Sequence, residues 1–202
     1  MKQDLSQFEP LKPPPNGFIA FGKSLPWHLN ACLHFHWDMQ YGYEEGYRKA
    51  AELLIQHIAD KGRDQDTLVY PIVFLFRHAL ELRLKSILEN LLKLGEREHG
   101  IPTHHDLSKL WAECKNPLRR FTSSDDLHWF DAVDSLLRQI MEVDPSSDAF
   151  RYKTKKDGAK SAECISHINL RQFYDAVNPV AEWLGSVSCY LDELHSQMPT
   201  PE

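Results

Sequence analysis

Apolar side chains recurring at helical spacing in several separate stretches, one nearly all-apolar helical run mid-chain, and no strand-like alternation predict an all-α fold. The expected architecture is a single-domain bundle of about five helices behind an irregular, aromatic N-terminal segment. Residues 1–38 read as that segment, packed on the core, and residues 39–197 as the bundle.

Pro10 and Pro13, Pro14 and Pro15 exclude helix from the first 16 residues and favour an extended arm. Residues 17–37 carry Phe18, Phe21, Trp27, Phe35 and Trp37 without clean period, which predicts an irregular piece holding a short helix. Ala50, Leu53, Leu54 and Ile58 predict a first helix over about 43–60, ended by Lys61-Gly62. Asp64 or Asp66 is placed to cap a second helix running to about Leu94-Gly95, with Pro71 in its first turns. Thr103 or Asp106 should cap a third, containing Leu107, Leu110 and Trp111 and stopping before Pro117. A fourth is expected over about 124–143, with Leu127, Phe130, Val133, Leu136, Leu137 and Ile140 facing inward. A basic, irregular stretch follows over 148–168. The last helix, about 169–196, repeats Leu170, Val177, Leu184 and Leu191 every seventh residue, a seam suited to neighbouring helices, and Pro179 should kink it near Asp175.

With 42% hydrophobic residues the chain can bury one sizeable core and needs no staple. No uncharged apolar run of about 18 residues argues for a membrane span. The N-terminus lacks the apolar stretch of a secretory signal, so the cytoplasm is the expected compartment. Cys32, Cys114, Cys164 and Cys189 form no CxxC pair and read as small buried side chains rather than disulfides or zinc ligands. A net charge of −6 gives no electrostatic case for broad nucleic-acid binding, which leaves local basic patches.

The chemistry-bearing residues concentrate in the second helix. Arg77, His78, Glu81, Arg83 and Lys85 follow an apolar run, where charge is costly unless paired or wet. His78, Glu81 and Lys85 share a face, and so do Arg77 and Glu81. One reading is a solvated stripe of ion pairs, with Arg83 and Lys85 reaching water. The other is a site in which Arg77, His78, Glu81 and His105 do catalysis, since histidine titrates near neutrality and arginine forks onto phosphate. Lys85, Arg151, Tyr152, Lys153, Lys155 and Lys156 pair basic charge with an aromatic and suit a polyanion. His34 and His36 alternate within an aromatic stretch, which is weak evidence for a metal, so neither metal nor cofactor is expected.

RHALELRLKSIL at 77–88, His104-His105-Asp106-Leu107 with Leu110, Phe150-Arg151-Tyr152 and a long last helix are together similar to the HEPN superfamily (higher eukaryotes and prokaryotes nucleotide-binding domain). The resemblance spans roughly residues 40–195. It implies a helical bundle, commonly a homodimer, that binds or cleaves RNA or a nucleotide in phage defence or a toxin–antitoxin setting. Catalytic members carry an arginine and, a few residues on, a histidine in a late helix. Here Arg171 has no histidine at that spacing, Arg97 and His104 straddle the loop holding Pro102, and Arg77 and His78 are adjacent. A non-catalytic helical dimerisation module, paired through the last helix's seam, is the alternative.

Overall fold

A computed structural model describes residues 13, 17, 20–33, 39–154 and 158–198. The chain divides into two compact units, Met1–Trp37 and Asp38–Glu202. In the first, a 3-10 turn spans Trp27–Leu29, and Asn30 ties it off by donating to the Ser24 and Trp27 carbonyls. Phe18, His34, Phe35, His36 and Trp37 lie outside the described residues.

The second unit is an all-α bundle: α1 Gln40–Lys61, α2 Gln65–Lys93, α3 Leu107–Leu118, α4 His128–Val143 and α5 Leu170–Ser196. Among the described residues the only strand-like feature is an isolated bridge between Thr154 and Lys160. α2 is the central element and packs against α1, α3 and α5, while α4 closes the far side on α3 and α5. Ile72, Phe76, Leu80, Leu84, Ile87, Leu88 and Leu91 of α2 are all fully buried, as its apolar run predicts.

Helix ends follow local chemistry. Gly62 stops α1 in the left-handed conformation, its N–H returning to the Ile58 carbonyl. α2 ends in a Schellman motif: Glu96 N–H bonds the Leu91 carbonyl, Gly95 N–H bonds that of Leu92, and Gly95 holds φ 74°. The side chains of Asp106 and Asn169 accept from Lys109 and Gln172 N–H and so cap α3 and α5.

Several expectations need correction. Leu53 is exposed, because the inner face of α1 is Glu44, Ala51, Leu54, Ile55 and Ile58, so Leu54 and Ile58 face inward as expected and Leu53 does not. Asp64 stands at the start of α2, but its carboxylate lies 3.0 Å from His57 Nε2 and caps nothing. Pro71 falls in the first turns, as expected. α3 runs through Pro117, since Leu118 beyond it is fully buried and anchors the last turn. Leu127 precedes α4 and is exposed, whereas Phe130, Val133, Leu136, Leu137 and Ile140 face inward as expected. The seam of α5 is spent inside the chain: Val177, Leu184 and Leu191 are fully buried against its own core.

Arg83 is the largest departure. It is only 6% exposed rather than solvated, and its Nε lies 3.0 Å from Glu44 of α1. A Cβ at Gly185 of α5 would stand 1.7 Å from Arg83 Nη1, so α5 needs glycine there to let the guanidinium pass. Gly46, exposed in α1, meets nothing within 4 Å. Gly185→Ala is expected to destabilise by about 1–3 kcal/mol, and Gly46→Ala to stabilise by up to about 1 kcal/mol. Urea unfolding measures both, and equal signs would refute the assignment of Gly185.

Candidate functional site

α2 points Arg77 and Glu81 one turn apart into the interior, toward the loop before α3 and the turn after α4. Arg77 is 1% exposed. Its Nε lies 3.3 Å from Asp144 Oδ2, its Nη2 donates to the His105 carbonyl at 3.0 Å, and its Nη1 faces Glu81 Oε2 at 3.5 Å. Burial pushes the guanidinium below its ordinary value, with Asp144 and Glu81 pulling it back. It stays charged. Asp144, itself buried, accepts the Asp148 and Ala149 N–H groups on Oδ1 at 2.8 and 2.9 Å. One guanidinium therefore holds both the His105 loop and the turn that leads to Arg151. Arg77, expected as a phosphate contact, is instead a positioning residue with no surface to offer a ligand.

Glu81 is 2% exposed, and its Oε1 accepts from Lys85 Nζ at 2.9 Å and from His105 Nδ1 at 2.7 Å. Burial alone would raise its pKa, but the Lys85 and His105 hydrogen bonds outweigh it and hold the carboxyl below its ordinary value. An ionised carboxylate can only accept, so His105 donates through Nδ1 and keeps Nε2 for whatever approaches. The His105 side chain is 62% exposed. Buried acid, half-buried ammonium and exposed imidazole thus form one unit, not the solvated stripe that spacing alone allows.

His78 leaves the same helix in another direction. Its ring stacks on Phe74 at 5.7 Å with 8° between planes and meets the edge of Tyr47 at 4.6 Å. Burial lowers its pKa. The Arg151 guanidinium also lies over the Phe74 ring, 5.5 Å from its centroid. Arg151 also lies over Tyr152 at 5.1 Å and donates to its hydroxyl at 3.0 Å. Arg151, Tyr152 and Lys153 are exposed. Lys155 and Lys156 lie outside the described residues. Cavities of about 400 and 310 Å³ adjoin Phe150 and Ile165, and neither includes His78, His105 or Arg151.

A second polar network escaped the sequence reading. Arg48 donates to both carboxylate oxygens of Glu45, to Glu52 and to Asn178 of α5, and the Glu45 hydrogen bonds raise its pKa further. Tyr174 completes it by donating to Glu52 at 3.3 Å. Glu45 and Glu52 lie one turn either side of Arg48, a spacing the sequence reading passed over, whereas Asn178 and Tyr174 join from α5 more than 100 residues on, where no local spacing signals them. All four cysteines are free, but only Cys114 is buried as expected, which raises its thiol; Cys32, Cys164 and Cys189 are exposed. Among the described residues no helix is long and apolar enough to cross a membrane. No family model, curated protein or solved structure matches this chain.

Two stability predictions follow from the burial of these groups. Arg77→Met leaves Asp144 and Glu81 without their buried cation and is expected to cost about 3–5 kcal/mol in urea unfolding. Because the fold holds His78 below its ordinary 6.5, the unfolded chain takes up that proton first as pH falls. Stability is then full above about pH 6.5 and declines below it, with a further loss below about 4.5 as Glu81 protonates. His78→Phe keeps a ring against Phe74 and should flatten the first decline. An unchanged pH profile in that variant would contradict the assignment.

Proposed function

We propose that the chain is a HEPN-like cytoplasmic protein that binds RNA or a nucleotide on this face of α2 and cleaves RNA with His105 as its general base. One observation carries the reading: a buried, ionised carboxylate orients an exposed imidazole. A purely structural ion pair has no need to leave its histidine in water, whereas a base must be fixed on one side and open on the other. In such a cleavage His105 Nε2 takes the proton of a ribose 2′-hydroxyl, and the 2′-oxygen attacks the adjacent phosphorus. The 5′-oxygen leaves and receives the proton back, giving a 2′,3′-cyclic phosphate and a 5′-hydroxyl. Lys85 offsets charge on the phosphoryl oxygens. No metal is required by these residues. The adjacent Arg77-His78 pair plays no joint part, since Arg77 is committed to Asp144 and the His105 carbonyl.

A homodimer, which the resemblance implies, would pair through a surface other than the α5 seam, already filled by the chain's own core. Light scattering at micromolar concentration checks the pairing, and a monomer counts against it. The enzyme reading is tested by incubating purified protein in EDTA with a mixed-sequence single-stranded RNA. Cyclic-phosphate ends are expected, with His105→Ala about 10²- to 10⁴-fold slower and His104→Ala, whose ring faces Glu113, close to wild type. Wild-type protein that leaves RNA intact would sink the catalytic reading in favour of a non-catalytic interaction module.

A further inference from the structure

Most arginines of the second unit are neutralised. Arg48, Arg77, Arg83, Arg97, Arg120 and Arg171 each pair with a carboxylate. Among the described residues no carboxylate pairs with Arg151, Lys153 or Lys160. Lys153 and Lys160 are brought together by the Thr154–Lys160 bridge and the Ser161 N–H to Lys153 carbonyl bond. Next to Lys153 stands Tyr152, 54% exposed, with the Arg151 guanidinium over its ring and fastened to its hydroxyl. Tyr152 is not alone in being exposed, but among the exposed aromatics described its ring is the one with a guanidinium over it and beside cations that no carboxylate neutralises, a pairing that suits a flat, anionic ligand.

This patch also adjoins a row along α2: Phe74, His78 and Lys85 are partly exposed, with Glu81 buried between His78 and Lys85. Arg151 touches the first ring of this row, and His105 bonds the Glu81 carboxylate near the other end. From Phe74 to Lys85 the helix rises about 16 Å, room for roughly four stacked nucleotides at 3.4 Å each.

We propose that Tyr152, backed by Arg151, is a stacking platform for an unpaired nucleobase, so that the ligand is single-stranded nucleic acid and not a duplex. The proposal deepens the reading of the His105 face and rests on it. Lys153 and Lys160 hold the backbone phosphates beside that base. A base already stacked inside a duplex has no free face for Tyr152, whereas a single strand can turn one out.

The experiment is fluorescence anisotropy with a labelled eight-nucleotide RNA carrying 2′-O-methyl groups, alone and as a blunt duplex, across a salt series. The single strand should bind at least tenfold more tightly than the duplex. Tyr152→Ala should weaken single-strand binding about 5- to 100-fold, Tyr152→Phe should keep most of it, and the Lys153→Ala/Lys160→Ala double variant should flatten the salt dependence. Circular dichroism confirms that each variant is folded. Equal binding of strand and duplex, or a Tyr152→Ala protein that binds as wild type does, overturns the platform. In that event RNA cleavage that still depends on His105 leaves the site reading standing. No binding to either probe, with no cleavage, overturns both.

Discussion

A guanidinium with 1% of its surface in water is an expensive object, and the arrangement around Arg77 shows what the expense secures. Its nitrogens face Asp144 from the end of α4, the His105 carbonyl from the loop before α3, and Glu81 one turn along its own helix. Asp144 uses its second oxygen to gather the Asp148 and Ala149 amides, which turns Phe150 into a small core with Val73 and sends Arg151 outward. Glu81 uses its second oxygen for Lys85 and His105. Each acid that neutralises Arg77 therefore also places a group on the surface. Buried ion pairs often add little stability over an apolar replacement. What this one adds is position: the loop before α3 and the turn after α4, distant in sequence, are brought together at the middle of α2.

The same helix is charged on another side. Arg83 lies six residues after Arg77, about 240° around the axis, and meets Glu44 of α1 and the backbone of α5 at Gly185. A central helix buried all round could carry apolar residues only. α2 instead carries charge at two places, each answered by a specific acid, and so specifies which helices stand beside it. Arg48 extends the second network to Asn178 and the flank of Glu182. Both networks favour one helix arrangement, because any slip of α1 or α5 strands a buried charge.

The bundle was legible because helical period and caps are local. Gly62, Asp106 and Asn169 end or begin helices by chemistry contained within a few residues. The faces were less so. Leu53 and Leu127 fit an apolar pattern yet lie in water, since Ala51 and Glu44 supply the inner surface of α1 and the chain turns before α4 begins. The polar site was half legible: spacing puts His78, Glu81 and Lys85 on one face, but says nothing about the carboxylate's depth or about His105 returning to it across 24 residues. Arg83 looked solvated because nothing near it in sequence reveals Glu44 or the missing side chain at Gly185. Arg48 offered only the spacing of Glu45 and Glu52 within α1, and nothing local reveals its reach to Asn178 of α5.

Net charge argued against a polyanion as ligand, and the distribution of charge answers that argument. At physiological ionic strength the field of an exposed charge fades over about 8 Å, so a ligand responds to what lies within one or two side chains of it. Over most of the bundle the cations are cancelled at ion-pair distance, and the excess acid gives the surface its −6. Around Tyr152, Arg151, Lys153 and Lys160 pair with no carboxylate among the described residues, and Arg151 holds the tyrosine hydroxyl. On the proposed reading the acidic remainder would add selectivity: it would repel a long, stiff duplex that must lie across the surface, and spare a short single strand confined to the Tyr152 patch and the exposed row of α2.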